Sequence, residues 1–175
     1  MDHMQPLASQ YSQQLAALRV LVVDDESTMR KVTRSLLQVI GVQDIYEAKD
    51  GRSGLDAICS WNPDVVILDW SMPSPNGPEF VRQVRAPGRF PYPDVAIIML
   101  TAHGERSRVV EAVRLGVNEF LLKPVSSTAL LARLVSILAK PREMVKKGDN
   151  YVPAPRKMSS YKPETDPALA DVVFI

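Results

Sequence analysis

Cysteine occurs once in the 175 residues, as Cys59, so no intrachain disulfide can staple the fold. Its place on the apolar side of an expected helix reads as a buried filler rather than a reactive thiol. Long apolar runs are lacking too: every hydrophobic stretch falls well short of the roughly 20 residues that span a bilayer. The amino terminus has no basic segment followed by an apolar one, so a cytoplasmic protein without membrane contact is expected. Charge of one sign is also missing. Lys+Arg 21 stand against Asp+Glu 20, a net +1, which gives nucleic acid no electrostatic reason to bind. Neither a Gly-x-Ser-x-Gly elbow nor a Gly-x-x-x-x-Gly-Lys phosphate loop occurs, and no internal repeat is present.

What is present is a set of short apolar runs with turn signals between them. Val65-Val66-Ile67-Leu68 has no polar alternation and reads as a strand covered on both faces, ending in Asp69. Val20 to Val23 is a similar run that stops at Asp24-Asp25-Glu26, with Ser27 and Thr28 as candidate caps for the next helix. Met29, Val32, Leu36, Leu37 and Ile40 form that helix's expected buried face, and Gly41 its stop. Ile45 to Ala48 is a short second strand. Leu55, Ile58, Cys59 and Trp61 give the following helix its apolar side, ended by Pro63.

Pro78, Phe80, Val81 and Val84 mark a third helix, closed by Pro87-Gly88. Val95 to Leu100 is a fourth strand reaching Thr101-Ala102, and Val109, Val110, Val113 and Leu115 lie on the helix that Gly116 terminates. Glu119 to Leu122 runs into Lys123-Pro124, and Ser126 or Ser127 caps a last helix carrying Leu130, Leu131, Leu134, Val135 and Leu138. Five strands alternating with five helices predict one α/β domain, a doubly wound five-stranded parallel sheet. Residues 19–140 hold it. Residues 1–18 form an extension in which Leu7, Tyr11, Leu15 and Leu18 make one stripe of a short helix, either a loosely packed leader or a partner-binding element. Residues 141–175 form a Pro-rich tail, read as a flexible spacer or a segment that docks back on the domain. Phe174-Ile175 is either a carboxyl-terminal recognition motif or a chance apolar end.

In an open α/β sheet the carboxyl ends of the strands form the ligand crevice. Here they carry Asp24 and Asp25, Asp69, Thr101 and Lys123. Three carboxylates gathered there stay ionised only with a cation among them, and an all-oxygen donor set suits magnesium. A lysine opposite holds an anion and a threonine hydroxyl bonds one of its oxygens. The set suits phosphoryl transfer to an aspartate, where catalysis is mostly positioning and charge neutralisation.

Val20-Leu21-Val22-Val23-Asp24-Asp25, Leu68-Asp69-Trp70-Ser71-Met72-Pro73 with Asn76-Gly77, Leu100-Thr101-Ala102 and Leu122-Lys123-Pro124 together resemble a bacterial response-regulator receiver domain. The resemblance implies the (βα)5 flavodoxin-like receiver fold, and Asp69 as acceptor of a phosphoryl group from a histidine kinase or histidine phosphotransfer protein. It implies Mg2+ held by Asp25, Asp69 and the Ser71 carbonyl, with Asp24 acting through water. Thr101 and Lys123, with the Ser71 and Ala102 amides, would hold the phosphoryl oxygens, and a cis peptide before Pro124 would aim the lysine.

The family's switch pairs Thr101 with an aromatic, here Phe120, and remodels the helix after the fourth strand, the fifth strand and the last helix; Phe120 is equally readable as plain core. Ser71 and His103 stand at positions that tune dephosphorylation, and Pro75 stiffens the loop beside Asp69. The implied protein is a signalling protein, not an enzyme beyond its own phosphotransfer and autodephosphorylation. Its output is a downstream protein target, with a phosphorylation-dependent dimer one arrangement the resemblance allows. The rival readings are a receiver-like adaptor that is never phosphorylated, and a haloacid-dehalogenase type phosphatase, which wants a second acid where Ser71 stands.

Overall fold

The computed structural model describes residues 8–156. Leu7, the opening Met1-Asp2-His3-Met4, the tail beyond Arg156 and Phe174-Ile175 lie outside the described residues. The elements in order are α1 (Ser12–Ala17), β1 (Arg19–Val23), α2 (Ser27–Ile40), β2 (Asp44–Ala48), α3 (Gly51–Trp61), β3 (Val65–Asp69) and α4 (Gly77–Arg85). Then come β4 (Ala96–Thr101), α5 (Arg106–Leu115), β5 (Glu119–Leu122), α6 (Ser127–Ala139), β6 (Met144–Lys147) and β7 (Asn150–Pro153).

β1 to β5 form one parallel sheet in the order β2-β1-β3-β4-β5. The period-two pleat splits each strand between two cores. Leu21, Val23, Val66, Leu68, Ile97 and Met99 face α3, α4 and α5. Val20, Val22, Val65, Ile67, Ile98 and Leu100 face α2 and α6, where Leu15 of α1 also enters, fully buried. Of the amino-terminal stripe, Tyr11, Leu15 and Leu18 are therefore spent on the core. Order 2-1-3 places the chain's topological switch between β1 and β3, where the two acid-bearing strand ends lie side by side.

Local chemistry sets the helix starts. Asp50 caps α3 through the Ser53 amide, and Ser126 caps α6 through Ala129. Asn76 and Glu79 form a full capping box on α4. α2 starts without a side-chain cap: Glu26 holds the cap position, and Ser27 and Thr28, the expected caps, are instead exposed residues of the helix's first turn. Three expected core residues face water instead. Val32 is 44% exposed and Trp61 41%, and Cys59 is exposed as well. An apolar stripe drawn too wide on α2 and α3 produced the expectation, because Thr33, Leu37 and Ile40, and Leu55, Ala57 and Ile58, already fill the inward arcs. Trp61 stacks on Tyr46 of β2, ring centroids 4.5 Å apart.

One charged residue lies wholly inside. Arg85, at the end of α4, donates through Nε to Gly116 O at 3.0 Å and through Nη2 to Asn118 Oδ1 at 2.9 Å, and its Nη1 reaches Pro93 O. Asn118 Oδ1 also accepts the Ile97 amide. One guanidinium thus fixes the α5–β5 turn and the long loop before β4 to α4. Burial pushes its pKa down to about 9 against the opposing pull of Asp94.

A flexible spacer does not describe residues 144–156. β6 and β7 pair antiparallel around the two-residue loop Gly148-Asp149, with Gly148 at φ +62. β7 lies against α4 and α5. It comes so close that a Cβ on Gly116 would meet Tyr151 O at 2.3 Å. The Ala154 amide donates to Glu143 O at 2.8 Å, and Arg142 Nε to Ala154 O at 2.8 Å. Arg156 then reaches Glu119 and donates to Ser136 Oγ at 2.8 Å, beside the buried Arg133–Glu119 pair at 3.3 Å. The described part of the tail, up to Arg156, builds no core of its own; it borrows the domain's surface.

Candidate phosphoryl-acceptor site

The sheet's hydrogen bonds continue one residue past several strands, which is what aligns the polar groups. The Asp24 amide donates to Ala48 O, the Trp70 amide to Leu100 O, and the Lys123 amide to Thr101 O at 2.7 Å. Asp24 and Asp69 are buried and Asp25 is exposed at the rim. One carboxylate oxygen from each of the three lies within 4.8 Å of the other two. Lys123 Nζ sits 2.8 Å from Asp69 Oδ1 and 3.4 Å from Asp24 Oδ2. Sequence reasoning therefore placed four of its site residues in direct company.

The others surround them. Thr101, at the end of β4, is buried, and its hydroxyl accepts the His103 amide at 3.1 Å. Ser71, Ala102 and His103 are exposed in the loops that follow β3 and β4. Phe120 is 4% exposed and packed in the core with Met99 and Ala112. The Lys123–Pro124 bond is cis, in line with the resemblance, and so is Ser74–Pro75.

Two residues, Arg30 and Arg108, escaped the sequence reading. Arg30 Nη1 donates to Asp24 O at 2.9 Å, fixing the backbone of the acid pair, and the Glu26 amide holds Asp24 Oδ1 at 2.9 Å. Arg108 of α5 lies 5.3 Å above the ring of Trp70, the residue after Asp69. Gly77 opens α4 where a Cβ would be 2.7 Å from Asp69 O, so only glycine lets the helix begin this close. Arg30 stands six residues beyond Asp24, a short helical step that could have flagged it; Arg108 has no such signal.

The cluster carries more negative than positive charge. Burial lifts the Asp69 carboxyl above the ordinary carboxylate range; the Lys123 hydrogen bond and charge pull it down, and Asp24 and Asp25 push it up again. Burial works to lower the Lys123 ammonium, but the hydrogen bond and charge of Asp69, backed by Asp24, hold it above its ordinary value. Three oxygen donors facing one ammonium leave a charge excess suited to a hard divalent cation. The three carboxylates present thus fit magnesium.

The family model for response regulator receiver domains matches residues 20–135. The chain belongs to the receiver family of response regulators. A chemotaxis protein CheY homolog of Campylobacter jejuni is 39% identical over 123 residues, covering 69% of this chain and 92% of that protein. The chemotaxis protein CheY of Pseudomonas aeruginosa is 34% identical, covering 70% and 98%. Among solved structures, the receiver is similar to Vibrio cholerae chemotaxis protein CheY4, with TM-score 0.61 at 33% identity over 67% of this chain and 95% of that one. A response regulator from Chloroflexus aurantiacus gives TM-score 0.64 at 30% identity, over 70% and 98%. The hairpin and Arg156 lie beyond the stretch that the family model covers.

Proposed function

We propose that this receiver is a phosphorylation-switched response regulator whose phosphoryl acceptor is Asp69. The carrying observation is the Asp24–Asp25–Asp69 cluster, oxygens within 4.8 Å, with Lys123 Nζ at 2.8 Å from Asp69. The donor is a histidine kinase or a histidine phosphotransfer protein. A carboxylate oxygen of Asp69 attacks the phosphorus of the phosphohistidine in line. The phosphorus–nitrogen bond breaks, its electron pair stays on the imidazole nitrogen, and an acyl phosphate is left on Asp69. Asp25, Asp69 and the Ser71 carbonyl, with Asp24 acting through water, would hold magnesium, which would supply charge neutralisation for the added phosphoryl oxygens.

Lys123, Thr101 and the amides of Ser71 and Ala102 bind those oxygens. To do so the Thr101 hydroxyl changes partner from its bond with the His103 amide, which pulls on the loop leading to α5. Phe120 responds by packing, since it has no hydroxyl. Water later returns the carboxylate, with Ser71 and His103 setting access to the site; the protein has no further enzymatic activity. Output passes to a protein target in the cytoplasm without DNA or membrane binding. Exposed Val110 and Val113 of α5 and Leu122 of β5 offer that target apolar contact. Among the described residues no helix is long and apolar enough to cross a membrane.

The test is incubation with a small-molecule phosphodonor, with and without magnesium, followed by intact mass, beside Asp69→Asn. One added phosphoryl group that needs metal and disappears in the variant is the expected result. Its absence at early and late times, and again with histidine kinases, leaves the unphosphorylated adaptor instead.

A further inference from the structure

We propose that the hairpin 144–153 is a cis-acting strap that holds α5 in its present position, so that its release and phosphorylation of Asp69 favour one another. The inference rests on the acceptor role of Asp69 and adds a regulator to it.

The physical link is α5 itself, ten residues and about 15 Å long. Its first turns touch the site: Arg108 covers Trp70, the neighbour of Asp69, and residues 102–105 join the helix directly to Thr101. Its far end lies under the strap, where Gly116 abuts Tyr151 O and β7 crosses to α4. The strap is pinned at the return strand, by Arg142 on the Pro153 and Ala154 carbonyls, and by Arg156 on Glu119 and Ser136. Glu119 opens the strand whose other end leads into Lys123. α5, which is joined to Thr101, and β5, which leads into Lys123, are thus both gripped at their remote ends.

The grip is not a tight one. Among the described residues Glu119 is the one carboxylate paired with both Arg133 and Arg156, and the Nε of each has no hydrogen-bond partner there. Burial lowers the pKa of Arg133, with the charge of Arg156 adding to the effect and Glu119 opposing it. Arg142 is likewise lowered, by burial first and by Arg156 second. Crowded arginines with spare donors make a clasp that can open at modest cost. The hairpin itself has only four residues per strand, and its outer strand β6 is mostly exposed. Two short strands have little stability without the surface beneath them.

The experiment uses the full chain in two arms. In the first, amide hydrogen exchange of residues 106–116 and 144–156 is compared before and after phosphorylation, with intact mass verifying the adduct. The strap predicts faster exchange of 144–156 in the phosphorylated protein, by about five-fold or more, the lower end of ordinary coupling between sites. In the second, Arg142→Ala/Arg156→Ala, shown by the same exchange to have a loosened hairpin, is titrated with beryllofluoride in magnesium. Affinity for this non-covalent phosphoryl mimic should rise by the same factor, because linkage is reciprocal. An adduct that leaves hairpin exchange unchanged overturns the strap alone. So does a loosened hairpin with unchanged beryllofluoride affinity. No adduct at all overturns the acceptor role of Asp69, and the strap with it.

Discussion

Lys123 stands between two carboxylates, and its charge opposes any cation placed among the same oxygens. Lys123→Ala is therefore expected to bind magnesium several-fold more tightly while losing phosphorylation, a pair of opposite effects that metal titration and intact mass separate. Arg85 makes a different case, since its three acceptors have been taken out of water. Arg85→Met keeps most of the volume and leaves those oxygens unpaired, which should cost about 3 kcal/mol in urea unfolding. The pH dependence follows from the sign of the shift. A base whose folded pKa is lowered to about 9 destabilises the fold while charged, and that cost is relieved only as pH rises from there toward its ordinary value. Between about pH 5 and 8 the group is charged in both states, so the stability profiles of Arg85→Met and the parent should run parallel. Neither Arg85 nor Arg108 was legible in the sequence. A buried or stacked arginine is spelled like a solvated one, and only tertiary placement tells them apart. Asp24, Asp69, Thr101 and Lys123 were legible because each ends an uninterrupted apolar run, and a parallel sheet brings all such ends to one edge.

At the level of elements, the five strands and the stops at Gly41 and Gly116 follow directly from sequence, both glycines taking left-handed φ at a helix end. The hairpin does not stand out, for its strands are four residues each and prolines crowd the segment. The signal was nevertheless present: Gly148-Asp149 is a two-residue hairpin loop between Lys147 and Asn150, with the apolar pairs Met144-Val145 and Tyr151-Val152 beyond them. What sequence could not show is the surface that stabilises it, contributed by α4 and α5. The join between β5 and α6 depends on Glu119 in the same nonlocal way. Glu119→Ala would strand Arg133, 5% exposed, without a counter-ion, and should lower stability by about 3–5 kcal/mol in thermal or urea unfolding. Asn76→Ala removes one half of the α4 capping box and should cost about 1 kcal/mol by the same measurement.

Taken whole, the molecule is a sheet with its acids at one edge and its tail clasp at the other. Repulsion at the acid edge is expected to make magnesium a ligand of the folded state. At a concentration 100 times its dissociation constant it should stabilise by about 2.7 kcal/mol, which for a chain of this size is roughly 5–10 °C in Tm. A chelator should reverse the shift, and Asp69→Asn should blunt it. The same arrangement gives the protein two built-in lamps. Its two tryptophans differ sharply in setting: Trp70, 8% exposed, lies next to Asp69, and Trp61, 41% exposed, lies on the Tyr46 ring at the β2 edge. A dissolved quencher such as iodide should dim Trp61 first. The emission left over then comes mainly from beside the acid edge, so events there can be followed by light without adding a label.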